Sequence, residues 1–265
     1  MMNDANEISH QTKLYGFIGE FAGQSSISAV LNKKFKASNK DAMIIPMNIR
    51  EDDFYFTVVN MKKSHVNGAF ISSEYSSKVV DILDEASELV LKFGICDVLI
   101  RDEQRLIGDV LGTNVLIDFL RIKDVKKVAL IGISPSAKAF AYLAEEFTVD
   151  YYYRDLEMLM DFTSQIQLVD ADINRIADSM SIDFSSYDAV VDFSDFENFE
   201  MVEKLSAINV DMKPKKEFSA LKKRSKELEQ SYFGFDELLV EFGDAIFKYL
   251  EKNKHLEYDK SNMRF

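Results

Sequence analysis

Lys127-Val128-Ala129-Leu130-Ile131-Gly132 is a continuous apolar run that ends in glycine, and Ile133-Ser134-Pro135-Ser136-Ala137 follows it. A run of this kind is typical of a strand buried on both faces of a parallel sheet. Beyond it we predict helices over 137–147, 156–166 and 199–205, alternating with strands over 149–153, 189–191 and 208–212. The alternation predicts a doubly wound parallel sheet.

The residues before this run predict a second α/β arrangement. Apolar spacing predicts one long helix over 79–93, closed by Gly94 at its carboxyl end. The other predicted elements are strands over 14–19 and 42–49, a hairpin over 96–107 and an amphipathic helix over 235–250.

Charge and composition exclude several classes of protein. The 265 residues include 32 Lys or Arg against 45 Asp or Glu, a net charge of −13. A chain this acidic lacks the electrostatic footprint of a nucleic-acid binder and is repelled by anionic membrane surfaces. No run of about 18 apolar residues could span a membrane, and no secretory leader opens the sequence. We therefore expect a soluble cytoplasmic protein with neither a nucleic-acid nor a membrane partner.

Few residues can serve metal or nucleophilic chemistry. The single cysteine, Cys96, excludes an internal disulfide framework, and its apolar strand predicts an inert core thiol. His10, His65 and His255 are scattered, so neither a catalytic triad nor a metal site is predicted. The basic stretch over 213–226 could bind phosphate, although a solvated helix face is the simpler interpretation.

Short segments in a fixed order carry a family resemblance. They are YGFIG at 15–19, QSSISA at 24–29, KFGICDVLI at 92–100, RLIGD at 105–109, VALIG at 128–132 and GFDELLVEFG at 234–243. Their order and spacing resemble shikimate dehydrogenase. The resemblance implies two α/β domains. An N-terminal substrate-binding domain covers 1–110 and is completed by 235–265, and a Rossmann-like NADP-binding domain covers 111–234. In the family, the substrate binds in the cleft between the domains and receives a hydride from the nicotinamide.

On the substrate side, the resemblance implies a Ser-x-Ser turn on the first helix. Ser25 occupies the first position, and a slip of one residue would let Ser26 and Ser28 serve, since two hydroxyls at that spacing can hold a carboxylate. Ser72 stands at the position of a threonine of the family. A helix cap with ordinary polar surface is the alternative interpretation of these serines.

The catalytic lysine and aspartate of the family are replaced in this chain. Ser76 stands at the lysine position and Gly112 at the aspartate position, and neither can supply the proton-transfer pair. Ordinary shikimate dehydrogenase activity is therefore not expected. Asp97, Asp109 and Glu74 would add carboxylates to the cleft, which disfavours an anionic substrate and suits an amine or a cation. The alternative is that these acids point to solvent.

On the nucleotide side, the glycine-rich turn of the family is altered. Gly132 and Ala137 are retained, and Ser134 and Ser136 could offer donors to a pyrophosphate at the start of the helix. Pro135, however, removes one amide donor. A capped helix that binds no nucleotide is the alternative interpretation.

Arg154 follows the second strand of the predicted parallel sheet. It matches the arginine that contacts the 2′-phosphate of NADP in the family. Asp155 beside it and the acids of Asp192-Phe193-Ser194-Asp195 after the third strand oppose a phosphate. NADP is therefore the expected cofactor, and these acids weaken its predicted binding.

Three functions stay open on the sequence. The first is a divergent NADP-type oxidoreductase that acts on a substrate other than shikimate. The second is a non-catalytic descendant, a pseudoenzyme, that binds a small ligand or a protein partner. The third is a non-redox enzyme that uses the acidic cleft around Asp97 and Asp109. We expect a small-molecule ligand in the interdomain cleft and a monomer or homodimer, while the residues alone do not decide whether the chain is an enzyme.

Overall fold

The structure, a computed structural model, describes residues 11–166, 171–213 and 217–256. The described strands are β1 Lys13–Gly19, β2 Ala42–Asn48, β3 Val66–Ile71, β4 Glu85–Ala86, β5 Val98–Asp102, β6 Arg105–Asp109, β7 Lys127–Ile131, β8 Thr148–Tyr153, β9 Ile173–Arg175, β10 Ile182–Asp183, β11 Ala189–Asp192, β12 Val202–Lys204 and β13 Ile208–Asp211. The described α-helices are α1 Ile27–Ala37, α2 Glu51–Met61, α3 Glu88–Phe93, α4 Gly112–Ile122, α5 Pro135–Leu143, α6 Leu156–Ser164, α7 Ala220–Glu227 and α8 Leu239–Lys252.

The chain divides into two compact units. The first unit comprises the described residues up to Ser87, Cys96–Asp109 and those from Leu239 onward. The second unit comprises Glu88–Ile95 and Val110–Leu238. Residues 88–95, which the sequence division placed with the N-terminal domain, therefore lie in the second unit.

The first unit is built on a mixed six-stranded sheet in the order β2-β1-β3-β5-β6-β4. Strands β1, β2 and β3 are parallel to one another, and β5 runs antiparallel to both β3 and β6. The residues of β1 from Phe17 to Gly19 are buried, as the apolar run predicts. The carboxyl ends of β1, β2, β3 and β6 consequently meet at one edge of the sheet.

The second unit is built on a parallel five-stranded sheet in the order β13-β11-β7-β8-β9. Residues 128–131 of β7 are fully buried, as expected for the central strand of a parallel sheet. The strand order changes direction between β7 and β11, which is the topological switch point of a Rossmann-type sheet. The predicted doubly wound parallel sheet and the two-domain α/β fold class are confirmed.

The predicted long helix over 79–93 is wrong. A 3-10 turn at Val80–Ile82 and strand β4 precede the short helix α3. The backbone N–H of Asp84 donates to Leu106 O at 2.9 Å, and that of Ser87 donates to Gly108 O at 3.0 Å. Pairing with β6 thus replaces the helical hydrogen bonds that the apolar spacing predicts.

The predicted helix over 199–205 is also wrong. Strand β12 occupies this segment and pairs in parallel with β10, where Ile182 lies opposite Val202. Phe199, Met201, Val202 and Leu205 are nonetheless buried in one hydrophobic cluster. The apolar pattern therefore identified the core positions correctly but predicted the wrong secondary structure for them.

Among the described residues, no helix is both long and apolar enough to cross a membrane.

Candidate functional sites

Three predicted substrate-side residues meet at the strand edge of the first unit. Ser72 follows β3, Asp97 precedes β5, and Asp109 ends β6. The Ile71 N–H donates to Asp97 O at 2.9 Å, and the Asp97 N–H donates to Asp109 O at 3.1 Å. The structure therefore brings Ser72, Asp97 and Asp109 to the same edge of the sheet.

The predicted serines occupy the amino end of helix α1. Ser26 is the N-cap residue and is exposed, while the Ser25 hydroxyl accepts the Ile27 N–H at 3.3 Å. Ser28 lies in the first turn of α1 and is only 6% exposed. Its Oγ has no hydrogen-bond partner among the described residues. A buried hydroxyl without a partner costs about 1–3 kcal/mol, and the surrounding residues close this Oγ off from solvent.

The residues that the resemblance aligns with catalytic positions, Ser76 and Gly112, have ordinary surroundings. The Ser76 hydroxyl donates to Ser73 O at 2.9 Å, and Gly112 begins helix α4 of the second unit. Lys78, two residues after Ser76, forms an ion pair with Glu51. The lysine nearest to Ser76 in sequence is therefore paired with an acidic residue at the start of α2.

Burial favours the protonated forms of two side chains of the first unit, the Cys96 thiol and the Tyr249 phenol. Burial raises the pKa of the Cys96 thiol to about 12, and the charge of Asp97 adds to this effect. The thiol is therefore neutral near pH 7, as the prediction of an inert core cysteine requires. Burial also raises the pKa of Tyr249 on α8. The charge of Asp109 and a hydrogen bond to Asp109 raise it further.

The predicted nucleotide turn of the second unit lies at the switch point, between β7 and α5. Gly132 has φ +107°, and a Cβ there would lie 2.7 Å from Phe193 C and 2.8 Å from Phe193 O. Glycine is therefore required where the backbone after β11 crosses this turn. Ser134 caps α5, because its hydroxyl accepts the Ala137 N–H at 3.2 Å, and Pro135 is the first helical residue. The structure thus places Gly132, Ser134, Ser136 and Ala137 together.

Asp192, at the end of β11, is a buried carboxylate beside the switch point. It is 2% exposed, and its Oδ1 accepts the Ser194 N–H at 2.8 Å. Its Oδ2 has no hydrogen-bond partner among the described residues. Burial raises the pKa of Asp192 to about 7, with Asp211 raising it further and Lys213 lowering it. The sequence placed Asp192 after a strand but gave no signal of its burial.

A cavity of about 810 Å³ lies in the second unit at the ends of β8 and β9. Two arginines and four carboxylates line it: Arg154, Arg175, Asp155, Asp178, Asp195 and Glu197. Arg154 Nη2 lies 3.4 Å from Asp195 Oδ1, and the guanidinium lies 4.4 Å from the centre of the Phe196 ring. Arg175 was missed by sequence reasoning, because strand β9 is only three residues long and has no clear pattern. Phe196 was missed because it lies in the loop after β11.

Among the described residues, no group of three or more His, Cys, Asp or Glu side chains could hold a metal ion.

Fold and topology define a two-unit α/β protein whose second unit contains a Rossmann-type sheet. Solved structures share this arrangement. The shikimate dehydrogenase of Aquifex aeolicus matches with a TM-score of 0.71 at 16% identity, over 92% of this chain and 94% of that one. The 5-ketofructose reductase of Gluconobacter sp. strain CHM43 matches with a TM-score of 0.70 at 18% identity, over 91% and 93% of the two chains.

Sequence comparison narrows the class. The shikimate dehydrogenase (NADP(+)) of Carboxydothermus hydrogenoformans is 29% identical over 139 residues, 51% of this chain and 50% of that protein. The chain therefore matches about half the length of such curated relatives. No family model matches it. The predicted resemblance to shikimate dehydrogenase is confirmed.

Proposed function

We propose that the chain is a divergent oxidoreductase that uses a nicotinamide dinucleotide and acts on a substrate other than shikimate. The observation that carries this proposal is the Gly132 turn at the switch point of the Rossmann-type sheet. The backbone of 193–194 approaches that turn so closely that only glycine fits. The glycine allows the tight turn from β7 into α5, and the amino end of a helix at this switch point is where Rossmann-type sheets bind a pyrophosphate.

Some features of the second unit favour NADP binding and others oppose it. The turn suits the pyrophosphate, and the exposed Arg154 follows β8 at the position that the resemblance links to the 2′-phosphate. Against it, Ser134 already caps α5 and Pro135 lacks an N–H. The relatives are named NADP(+)-dependent, which supports the same cofactor class here. When bound, the dinucleotide would supply or accept the hydride.

We assign substrate binding to the first unit. Ser26 and Ser28 lie at the amino end of α1, and the exposed N-cap residue Ser26 offers a hydroxyl that can form a hydrogen bond with a substrate oxygen. Asp97 and Asp109 add carboxylates at the strand edge of the same unit, and Ser76 replaces the lysine of the family. These changes support a small polar substrate other than shikimate.

A second candidate function is ligand binding without catalysis. It is favoured by the loss of a proton-transfer pair, since Ser76 and Gly112 stand at the catalytic positions of the resemblance. General acid–base transfer typically contributes 10²–10⁴-fold to a rate, and neither residue can supply it. A slow or absent turnover together with tight nucleotide binding would favour this candidate.

The test of the proposed activity is a nucleotide oxidation assay on the purified full chain. NADH and NADPH absorbance is followed with a panel of keto compounds that includes 3-dehydroshikimate. We expect turnover of a keto compound other than 3-dehydroshikimate. Ser26→Ala should lower its kcat/KM about tenfold or more, because one hydrogen bond to the substrate is lost.

Ser38→Ala serves as the matched control, because Ser38 caps the opposite end of α1 and is exposed. It should leave kcat/KM unchanged. Equal effects of the two variants would remove the assignment of Ser26. Absence of turnover with every compound would favour the non-catalytic candidate.

A further inference from the structure

We infer that the cavity of the second unit selects a dinucleotide whose adenosine ribose carries a free 2′-hydroxyl over one with a 2′-phosphate, and that Asp195 determines this preference. The inference rests on the proposed dinucleotide function and gives it a cofactor specificity. It runs against the cofactor that the family resemblance implies.

The first argument is that Arg154 is already engaged. Its guanidinium pairs with Asp195 and lies against the Phe196 ring. The guanidinium therefore already has an acidic partner, and one of its faces is covered. A phosphate is held best when arginine presents two parallel N–H donors to it. To bind a 2′-phosphate here, Arg154 would have to leave Asp195 and expose that carboxylate to the incoming anion.

The second argument is the charge of the cavity wall. Its four carboxylates outnumber its two arginines. One donor of Arg175 is also used by the backbone, because its Nε donates to Arg154 O at 3.3 Å. A phosphate monoester carries about −1.5 to −2 charge near pH 7. Such a group would be repelled, whereas a ribose hydroxyl is neutral and can donate a hydrogen bond to a carboxylate.

The third argument is the place of Asp155. It follows β8, where an acidic residue in Rossmann-type sheets accepts the ribose 2′-hydroxyl of NAD. Its Oδ1 accepts the Met158 N–H at 3.0 Å, which fixes the carboxylate at the start of α6. The cavity volume of about 810 Å³ lies within the range that encloses a nucleotide-sized ligand.

The experiment measures binding to the full chain by calorimetry with two probes, ADP-ribose and 2′-phospho-ADP-ribose. The wild type should bind ADP-ribose at least tenfold more tightly. Asp195→Asn should strengthen the binding of 2′-phospho-ADP-ribose about fivefold or more, because it frees Arg154 and removes one negative charge. The affinity for ADP-ribose should stay within about twofold.

Asp118→Asn is the matched control. Asp118 also pairs with an arginine, Arg121, in the same unit, but it does not line the cavity. It should leave both affinities unchanged. Equal or tighter binding of 2′-phospho-ADP-ribose by the wild type would overturn the inference while leaving the proposed function intact. Absence of binding of both probes at millimolar concentration would overturn the inference and the proposed function together.

Discussion

Gly132→Ala is expected to lower the free energy of unfolding by about 3–5 kcal/mol. Two effects add at this position. The residue has φ +107°, a conformation that a side chain makes costly, and the new Cβ would lie 2.7 Å from Phe193 C. The obstacle is backbone, so it cannot move aside as a flexible side chain would. Urea denaturation of the variant and the wild type measures the difference.

Gly94→Ala is the control that separates the two effects. Gly94 also has a positive φ, +66°, but a Cβ added there would meet no other described residue within 4 Å beyond its chain neighbours. The loss there should be about 1 kcal/mol, from conformation alone. Equal losses of stability in the two variants would contradict the close approach of the 193–194 backbone to Gly132.

Asp192→Asn is expected to stabilise the protein more at pH 8 than at pH 5, by roughly 2–3 kcal/mol. The folded-state pKa of about 7 lies above the unfolded value of 3.8. Below about pH 4 both states hold the proton, so the ionisation has no effect. Between about pH 4 and 7 only the unfolded state ionises, and the wild type loses stability as pH rises. Above about pH 7 the wild type has lost all of this stability, and the Asp192→Asn variant, which cannot ionise, does not lose it.

Three residues act on this carboxylate besides burial. Ser194, through its hydrogen bonds, and Lys213 lower the pKa of Asp192, and Asp211 raises it. The measurement is a set of urea denaturation curves from pH 5 to pH 8. Asp161→Asn is the matched control, because Asp161 is exposed on α6 of the same unit. It should follow the wild-type pH profile. A constant difference between Asp192→Asn and the wild type across this range would contradict the buried, ionising carboxylate.

Local patterns predicted the elements that bring the nucleotide turn together. The run at 127–132 is apolar and short, so its strand, its glycine and the following helix could be placed from neighbouring residues. The same holds for Arg154, which follows the strand at 148–153. These positions are fixed by where strands end, and strand ends are marked in the sequence by turn residues.

The errors arose where pairing between distant segments determines the backbone. Residues 79–93 have helical spacing, but hydrogen bonds from Asp84 and Ser87 to β6 hold part of them as a strand. The burial of Asp192 depends on its strand neighbours, which local sequence patterns do not reveal. The orphaned Ser28 hydroxyl and the pairing of Arg154 with Asp195 are likewise properties of packing.

The central claim, that a nicotinamide dinucleotide binds the second unit, is tested most directly by thermal-shift titration of the full chain with NADH, NAD, NADPH and NADP. A ligand at about 100 times its Kd adds about 2.7 kcal/mol, which raises Tm by about 5–10 °C for a chain of this size. We expect such a rise with NADH or NAD and a smaller one at equal concentrations of NADPH and NADP. No rise with any of the four at millimolar concentration would contradict the claim.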